Sequence, residues 1–356
     1  MKKRVKENNL FIYIPVLIIL LISIFVLSKY PLDSYMLKQV LWIVIGLVIF
    51  FIVKKFKIKI LFAYSHWIYL FNVILLILVL FIGKEINGAK AWFDFKYFSF
   101  QPSELMKVSL ALYLYQIVNT NFPKHFKEEI LLICKISFIF LLPAILVFLE
   151  PDTGAIILYF IITIVALYFA KIRRNWFIMI FGLLICLLVI FFILYFGNQN
   201  LLIKLIGTSF FYRVDRLISF ANNSGYQINQ ALIAIGSAGL FGKKHSLHIP
   251  EATTDFIFAF MISKFGFIMA IIILGCYLLI DIYFIKLILK TKNLFISMFF
   301  FMFLFQQIQN ILMNIGLFPI MGIPLPFLSY GGTNTIIYFI FLGIVLNIKK
   351  VRNFSF

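Results

Sequence analysis

The chain has 356 residues, 63% hydrophobic and only 13% charged, which is more apolar surface than a water-soluble core of that length can bury. A soluble globular enzyme is excluded, and a polytopic membrane protein is defined. The formal charge of +19 would suit a nucleic-acid binder, but the basic residues cluster in alternate loops, as the positive-inside rule requires of cytoplasmic connections.

A helix that crosses the hydrocarbon layer needs about 20 predominantly apolar residues, and the chain contains ten such runs bounded by charge or turn residues. Their cores are Leu10 to Leu27, Leu37 to Val53, Ile60 to Ile82, Pro102 to Val118, Ile130 to Leu149, Ala155 to Ala170, Trp176 to Phe196, Phe256 to Leu289, Leu294 to Ile315 and Thr335 to Ile348. The fold class that follows is an all-α polytopic integral membrane protein with ten transmembrane helices, forming a single membrane domain over residues 1–356. The basic clusters are Lys2, Lys3, Arg4 and Lys6; Lys54, Lys55, Lys57 and Lys59; Lys124 and Lys127; Lys171, Arg173 and Arg174; Lys286, Lys290 and Lys292; and Lys349, Lys350 and Arg352. Ten spans with an internal N-terminus put all of them on the cytoplasmic side, so both termini are expected there. Of the 13 carboxylates, Asp33, Glu85, Asp94, Glu104, Glu150, Asp152, Asp215, Glu251 and Asp255 then fall on the other side. That is where the chemistry is expected.

The first run follows a basic start, as a signal peptide would, but its apolar stretch is long and no small-residue cleavage site follows, so it is expected to be retained. Cys134, Cys186 and Cys276 each stand alone in a hydrophobic run, which suggests neither a disulfide framework nor a metal cluster. His245 and His248 lack the further ligands a zinc site needs. The longest connection, residues 197–254, is an extracytoplasmic loop too long for a simple turn. Within it, Leu201 to Phe220 has the pattern of an interfacial amphipathic helix. Ala231 to Phe241, too short to span, is expected to be re-entrant or packed on the bundle. The eighth run, roughly 34 residues and about 50 Å if helical, exceeds the hydrocarbon thickness, so it must tilt, break or project outward.

Ionisable residues within spans are costly and mark function by default. In Gln101-Pro102-Ser103-Glu104-Leu105-Met106-Lys107, Pro102 suits a first helical turn and a spacing of three puts Glu104 and Lys107 on one face. A structural ion pair and a role in binding charged substrate both fit that pattern. Glu150-Pro151-Asp152-Thr153-Gly154 joins two helices, and capping accounts for one of its acids better than for two. Further on, Glu251-Ala252-Thr253-Thr254-Asp255 precedes the eighth run. Thr253 or Thr254 as cap with Asp255 in the first turn is the plain reading, and a general base at the mouth of the bundle is the functional one. Finally, Met313 to Thr335 carries three prolines and four glycines, which break helix and predict a structured outer loop offering Ser329 and Thr333 to a ligand.

Taken together these segments resemble the SEDS family of RodA, FtsW and SpoVE. The resemblance rests on FSFQPSELMKVSLALYL, EPDTG, GYQINQALIAIGSAGLFGK, IPEATTDFIFAFMISKFGFI and NIGLFPIMGIPLPFLSYGGT, in the family's order and over most of the chain. It implies ten spans, a catalytic site on the outer face, lipid II and undecaprenyl-linked glycan as substrate, and a class B penicillin-binding protein as partner in the bacterial cytoplasmic membrane. Nucleic acid is not an expected partner. The family's catalytic aspartate falls on Asp255, the acid and lysine of its QPSE motif on Glu104 and Lys107, and the acids of its EPD segment on Glu150 and Asp152. Glu251, Arg213, Arg216, Ser329 and Thr333 complete the expected substrate-binding set. This chain departs from the family in the short Lys243 to Ile249 segment, in Thr253 where a histidine is common, and in Ala91 where arginine is usual.

The reaction implied is attack of an acceptor GlcNAc 4-hydroxyl on a donor MurNAc anomeric carbon, with Asp255 as base and undecaprenyl pyrophosphate as leaving group. A polyanionic leaving group among carboxylates needs compensation, and Lys107, Arg213, Arg216, Lys243, Lys244 or a divalent cation, Mg2+ or Mn2+, are the candidates. A lipid-precursor flippase or transporter would also use intramembrane charge and broken helices, but would favour charge through the bilayer centre. A non-catalytic scaffold of the elongation or division machinery would have no need of Asp255.

Overall fold

The computed structural model describes residues 10–31, 34–86, 89–95, 98–206, 225–243 and 248–350. Each of the ten apolar runs contains a long helix: α1 Leu10–Leu27, α2 Ser34–Lys55, α4 Ser65–Ile82, α5 Pro102–Thr120, α6 Phe126–Leu149, α7 Thr153–Phe169, α8 Arg174–Gly197, α11 Ile257–Thr291, α12 Leu294–Asn314 and α13 Gly332–Lys350. Shorter helices are α3 Ile58–Ala63, α9 Gln199–Ile206 and α10 Tyr226–Ser237. Seven of the described helices, α1, α2, α4, α6, α11, α12 and α13, are long and apolar enough to cross a membrane. The chain is a multi-pass, nearly all-helical membrane protein.

Two local features differ from expectation. The third run is not one helix: it breaks at Tyr64 (φ −92°, ψ 10°) between α3 and α4. The new helix starts at buried Ser65, whose hydroxyl donates to Gln116 Oε1 of α5 at 2.5 Å. The second feature is a small antiparallel sheet, in the order β1 Lys84–Ile86, β2 Ala89–Phe95 and β3 Phe98–Phe100. It sits between α4 and α5, and Ala91 is its fully buried member. Asn87-Gly88, a two-residue hairpin signal, was the trace of it in the sequence.

In lipid, apolar burial does not drive helices together, so packing and polar contacts must. α5, α12 and α13 form the buried centre; Met106, Leu110, Phe295, Phe303, Phe341 and Val345 are fully enclosed. Around them the joints are polar. Asn72 Nδ2 donates to Ser109 Oγ at 2.9 Å, tying α4 to α5. Asn347 Nδ2 reaches Val53 O at 3.0 Å and Phe56 O at 2.7 Å, tying α13 to the end of α2. Ser23 Oγ donates to Leu328 O at 2.7 Å.

Charge is segregated along the bundle. At one end Lys54 Nζ donates to Tyr13 OH at 2.7 Å, Arg173 Nε pairs with Glu129 Oε1 at 3.2 Å, and Lys349 Nζ donates to Tyr283 OH at 3.1 Å. The opposite end holds Glu104, Glu150, Asp152 and Asp255, at or next to the ends of α5, α6, α7 and α11.

The 35-residue α11 breaks rather than running straight. Gly266 takes φ 76°, ψ −176°, a conformation open to glycine and strained for other residues. The amide groups released by the break are taken up by the segment after α10: Phe267 N donates to Gly239 O at 3.1 Å, and Ile268 N to Leu240 O at 3.4 Å. In return Lys243 N donates to Ser263 O at 3.0 Å. α10 and the residues after it therefore pack on the bundle, as the Ala231 to Phe241 run predicted. The expected amphipathic helix from Leu201 to Phe220 is described only as far as α9; residues 207–224 lie outside the described residues.

Candidate active site

Asp255 stands just ahead of α11, where a threonine cap with Asp255 in the first helical turn was the plain explanation. The structure removes that explanation. Phe256 is the N-cap residue and makes no side-chain cap, while Thr254 Oγ1 donates to Glu251 Oε2 at 3.0 Å. The helix amide of Ala259 donates instead to Asn314 Oδ1 of α12 at 2.9 Å. Outside the helix and with no part in a cap, the half-buried Asp255 carboxyl is pushed up to about 7, first by burial and then by the negative charges of Glu251 and Asp152. Removing an ion from water and placing like charges nearby both favour its neutral form.

Asp152 does cap. Its Oδ1 accepts Ala155 N at 3.1 Å at the start of α7, and its Oδ2 accepts Gln101 Nε2 at 2.9 Å and Ser103 Oγ at 3.1 Å. Burial raises its carboxyl above the ordinary range; the Ala155 amide opposes the shift, Glu104 adds to it, and Lys107 and Ser103 oppose it. Glu150 is different. It is fully buried, and neither carboxyl oxygen has a hydrogen-bond partner among the described residues. Burial, then the charge of Asp152, pushes it up to about 9, so at neutral pH it is a neutral acid. Nearby, Lys107 Nζ contacts Glu104 Oε1 at 2.7 Å and Oε2 at 2.6 Å inside the bundle. The pair is internally neutral, and it joins Asp152 through the Gln101–Ser103 turn of α5.

The remaining expected residues divide. Glu251 is exposed beside Asp255. Ser329 is fully buried, accepts Leu325 N at 2.8 Å and donates to Thr254 O at 2.7 Å, so its hydroxyl already braces the segment leading to Asp255. Thr333 Oγ1 accepts Gln101 N at 3.3 Å and donates to Ser99 O at 3.3 Å. Lys243 is exposed, whereas Arg213, Arg216, Lys244 and His245 lie outside the described residues. Sequence reasoning passed over Gln101 and Ser103, which orient Asp152, and Asn310 and Asn314. The available signal for the last two was a run of amides, Gln306, Gln307, Gln309, Asn310 and Asn314, on a membrane-spanning helix.

A cation held by protein ligands alone, without the pyrophosphate, does not fit this arrangement. No group of three or more His, Cys, Asp or Glu side chains converges as a metal cage among the described residues, Glu104 is neutralised by Lys107, and Asp152 is committed to three donors.

Fold and site define a multi-pass membrane protein whose buried and half-buried carboxyl groups gather at one end of the helix bundle. The chain belongs to the FtsW/RodA/SpoVE family, described as "Cell cycle protein", whose profile matches residues 7–353. It is 31% identical over 388 residues to the probable peptidoglycan glycosyltransferase FtsW of Wigglesworthia glossinidia brevipalpis, covering 97% of this chain and 96% of that one. Identity to the peptidoglycan glycosyltransferase MrdB of Helicobacter pylori is 30% over 359 residues, covering 95% and 88%. The fold superposes on the rod shape determining protein RodA of Thermus thermophilus with a TM-score of 0.71 at 26% identity, over 99% and 100% of the two chains. A chain from a peptidoglycan synthase complex shares the fold with a TM-score of 0.82 at 23% identity, over 98% and 100%.

Proposed function

We propose that this chain is a peptidoglycan glycosyltransferase that polymerises lipid II at the outer face of the bacterial cytoplasmic membrane. Ten crossings with both termini cytoplasmic belong to the proposal, and the segregation of basic and acidic ends supports them. The acceptor 4-hydroxyl attacks the donor anomeric carbon. The new C–O bond forms as the bond to the pyrophosphate oxygen breaks, configuration inverts, and undecaprenyl pyrophosphate leaves with the bonding pair. Asp255 takes the hydroxyl proton. The observation that carries this reading is the Asp255 carboxyl itself, uncommitted to its helix and set close to neutral pH, where a general base works best.

The other acids and bases have supporting parts in this reading. Glu104, Lys107 and Asp152 form a fixed polar wall. Neutral Glu150 offers a hydrogen-bond donor without adding negative charge near the pyrophosphate. Glu251 tunes Asp255, while Ser329 and Thr333 hold the loops that shape the substrate's place. Arg213, Arg216, Lys243 and Lys244 supply positive charge for the leaving group, and no step is assigned to a metal. The polyprenyl tails lie in lipid beside the bundle, so no soluble domain is needed. A class B penicillin-binding protein packs through its single span on the lipid-facing side of α11 and α12.

The test is incubation of the purified chain, with and without its cognate penicillin-binding protein, with labelled lipid II, beside Asp255→Ala. Glycan chains from the wild type alone support the reading. Absence of chains from folded wild type with its partner would sink it and turn attention to transport or scaffolding.

A further inference from the structure

The Asp255 carboxylate accepts no hydrogen bond from the described residues, so the hydrogen bonds that hold this residue are made to its backbone. That backbone is held at three successive carbonyls. Thr253 O accepts Tyr330 N at 2.9 Å and Thr254 O accepts Ser329 Oγ at 2.7 Å. Asp255 O accepts two donors, Asn310 Nδ2 and Asn314 Nδ2, each at 3.0 Å. Both asparagines are fully buried and sit one turn apart on α12. Asn314 grips both sides of the site, since its Oδ1 also accepts Ala259 N at 2.9 Å. Asn310 anchors the arrangement to the outer loop by donating to Ile323 O at 2.9 Å, and Asn314 Nδ2 contacts Asn310 Oδ1 at 3.1 Å.

We propose that Asn310 and Asn314 are positioning residues for Asp255, fixing its peptide carbonyl and thereby the direction in which its carboxylate meets the acceptor hydroxyl. The proposal rests on the glycosyltransferase reading for its catalytic consequence. A bare helix cap needs one acceptor for a free amide. This arrangement supplies that acceptor and adds two donors to one carbonyl, which capping does not call for. A general base must sit within hydrogen-bond reach of its proton, and a displacement of about 1 Å at a reacting group can cost on the order of a hundredfold in rate.

The experiment compares wild type, Asn310→Ala, Asn314→Ala and the milder Asn310→Ser, which keeps one donor, each as the full chain with its cognate penicillin-binding protein. Three readouts are taken: melting temperature, kcat and KM for labelled lipid II across pH, and labelling of Asp255 by a water-soluble carbodiimide across pH, read by mass spectrometry. The expected result is a kcat loss of at least tenfold in both alanine variants with KM changed less than twofold, and an intermediate loss in Asn310→Ser. The labelling midpoint of Asp255 should also move down from about 7 as the freed side chain gains water and leaves Glu251 and Asp152. Alanine variants that melt lower yet keep wild-type kcat and an unmoved labelling midpoint would overturn the proposal and leave the asparagines as structural. A wild type that makes no glycan refutes the glycosyltransferase reading, and the labelling midpoint still decides whether the asparagines position Asp255.

Discussion

Proton acceptance by Asp255 requires its ionised form, so the pH dependence of the reaction reports on this carboxyl. With its value near 7, kcat/KM should rise through neutral pH and fall about tenfold per unit on the acid side. Glu251→Gln removes one negative neighbour, so the acid limb should move to lower pH; an unmoved limb would mean that another group sets it. Asp255→Ala should lower polymerisation by roughly 10²–10⁴, the usual worth of a general base, with the protein still folded and inserted. Glu150 carries the opposite message. Its folded value near 9 exceeds its ordinary 4.5, so the folded state holds a proton that the unfolded chain gives up between those values. Its contribution to stability is therefore full below about 4.5 and lost as pH rises toward 9. Glu150→Gln, neutral at every pH, should melt above the wild type at pH 8, with the gap closing toward pH 5. At this scale the sequence made the acids legible but not their partners. Asp255 looked like a first-turn acid behind a threonine cap because Thr-Thr-Asp before an apolar run is the local pattern of one, and only the tertiary contact from Asn314 shows otherwise.

Helices were legible because each is a long apolar run, and the interruptions were legible only where glycine or proline marked them. The excess length of α11 predicted a departure from a straight span without locating it. Its place at Gly266 depends on a segment more than 20 residues earlier in the chain coming to complete the hydrogen bonding. A Cβ at Gly266 would lie 2.1 Å from Leu240 O, and one at Gly242 would lie 2.2 Å from Lys264 O. Both positions also have positive φ, which costs about 1–3 kcal/mol in itself. Gly266→Ala and Gly242→Ala should each lower the melting temperature by several degrees and reduce polymerisation, whereas Gly275→Ala, with open space around it, should do neither. Equal behaviour of the three would show that the close approach carries no weight. The sheet between α4 and α5 was missed because its strands are short and lie between strongly helical runs. The break at Tyr64 has no glycine or proline to announce it.

Across the whole molecule, the alternation of basic clusters predicts an orientation, because long-range charge placement needs no knowledge of packing. Cysteines introduced at Leu317 and at Lys292 test it in intact cells: an impermeant thiol reagent should label the first and spare the second, and the reverse would invert the topology. Gathering of the acids was likewise foreseeable from the helix ends. Their different electrical states were not, since those depend on burial and on which carboxylates have donors. The joint between residues 239–243 and the break in α11 also bears on how such chains change in length. It registers residues 239–243 of the long outer connection atom by atom against α11. One residue gained or lost between Gly239 and Gly242 would therefore put the whole joint out of step, and with it the start of the helix that follows Asp255.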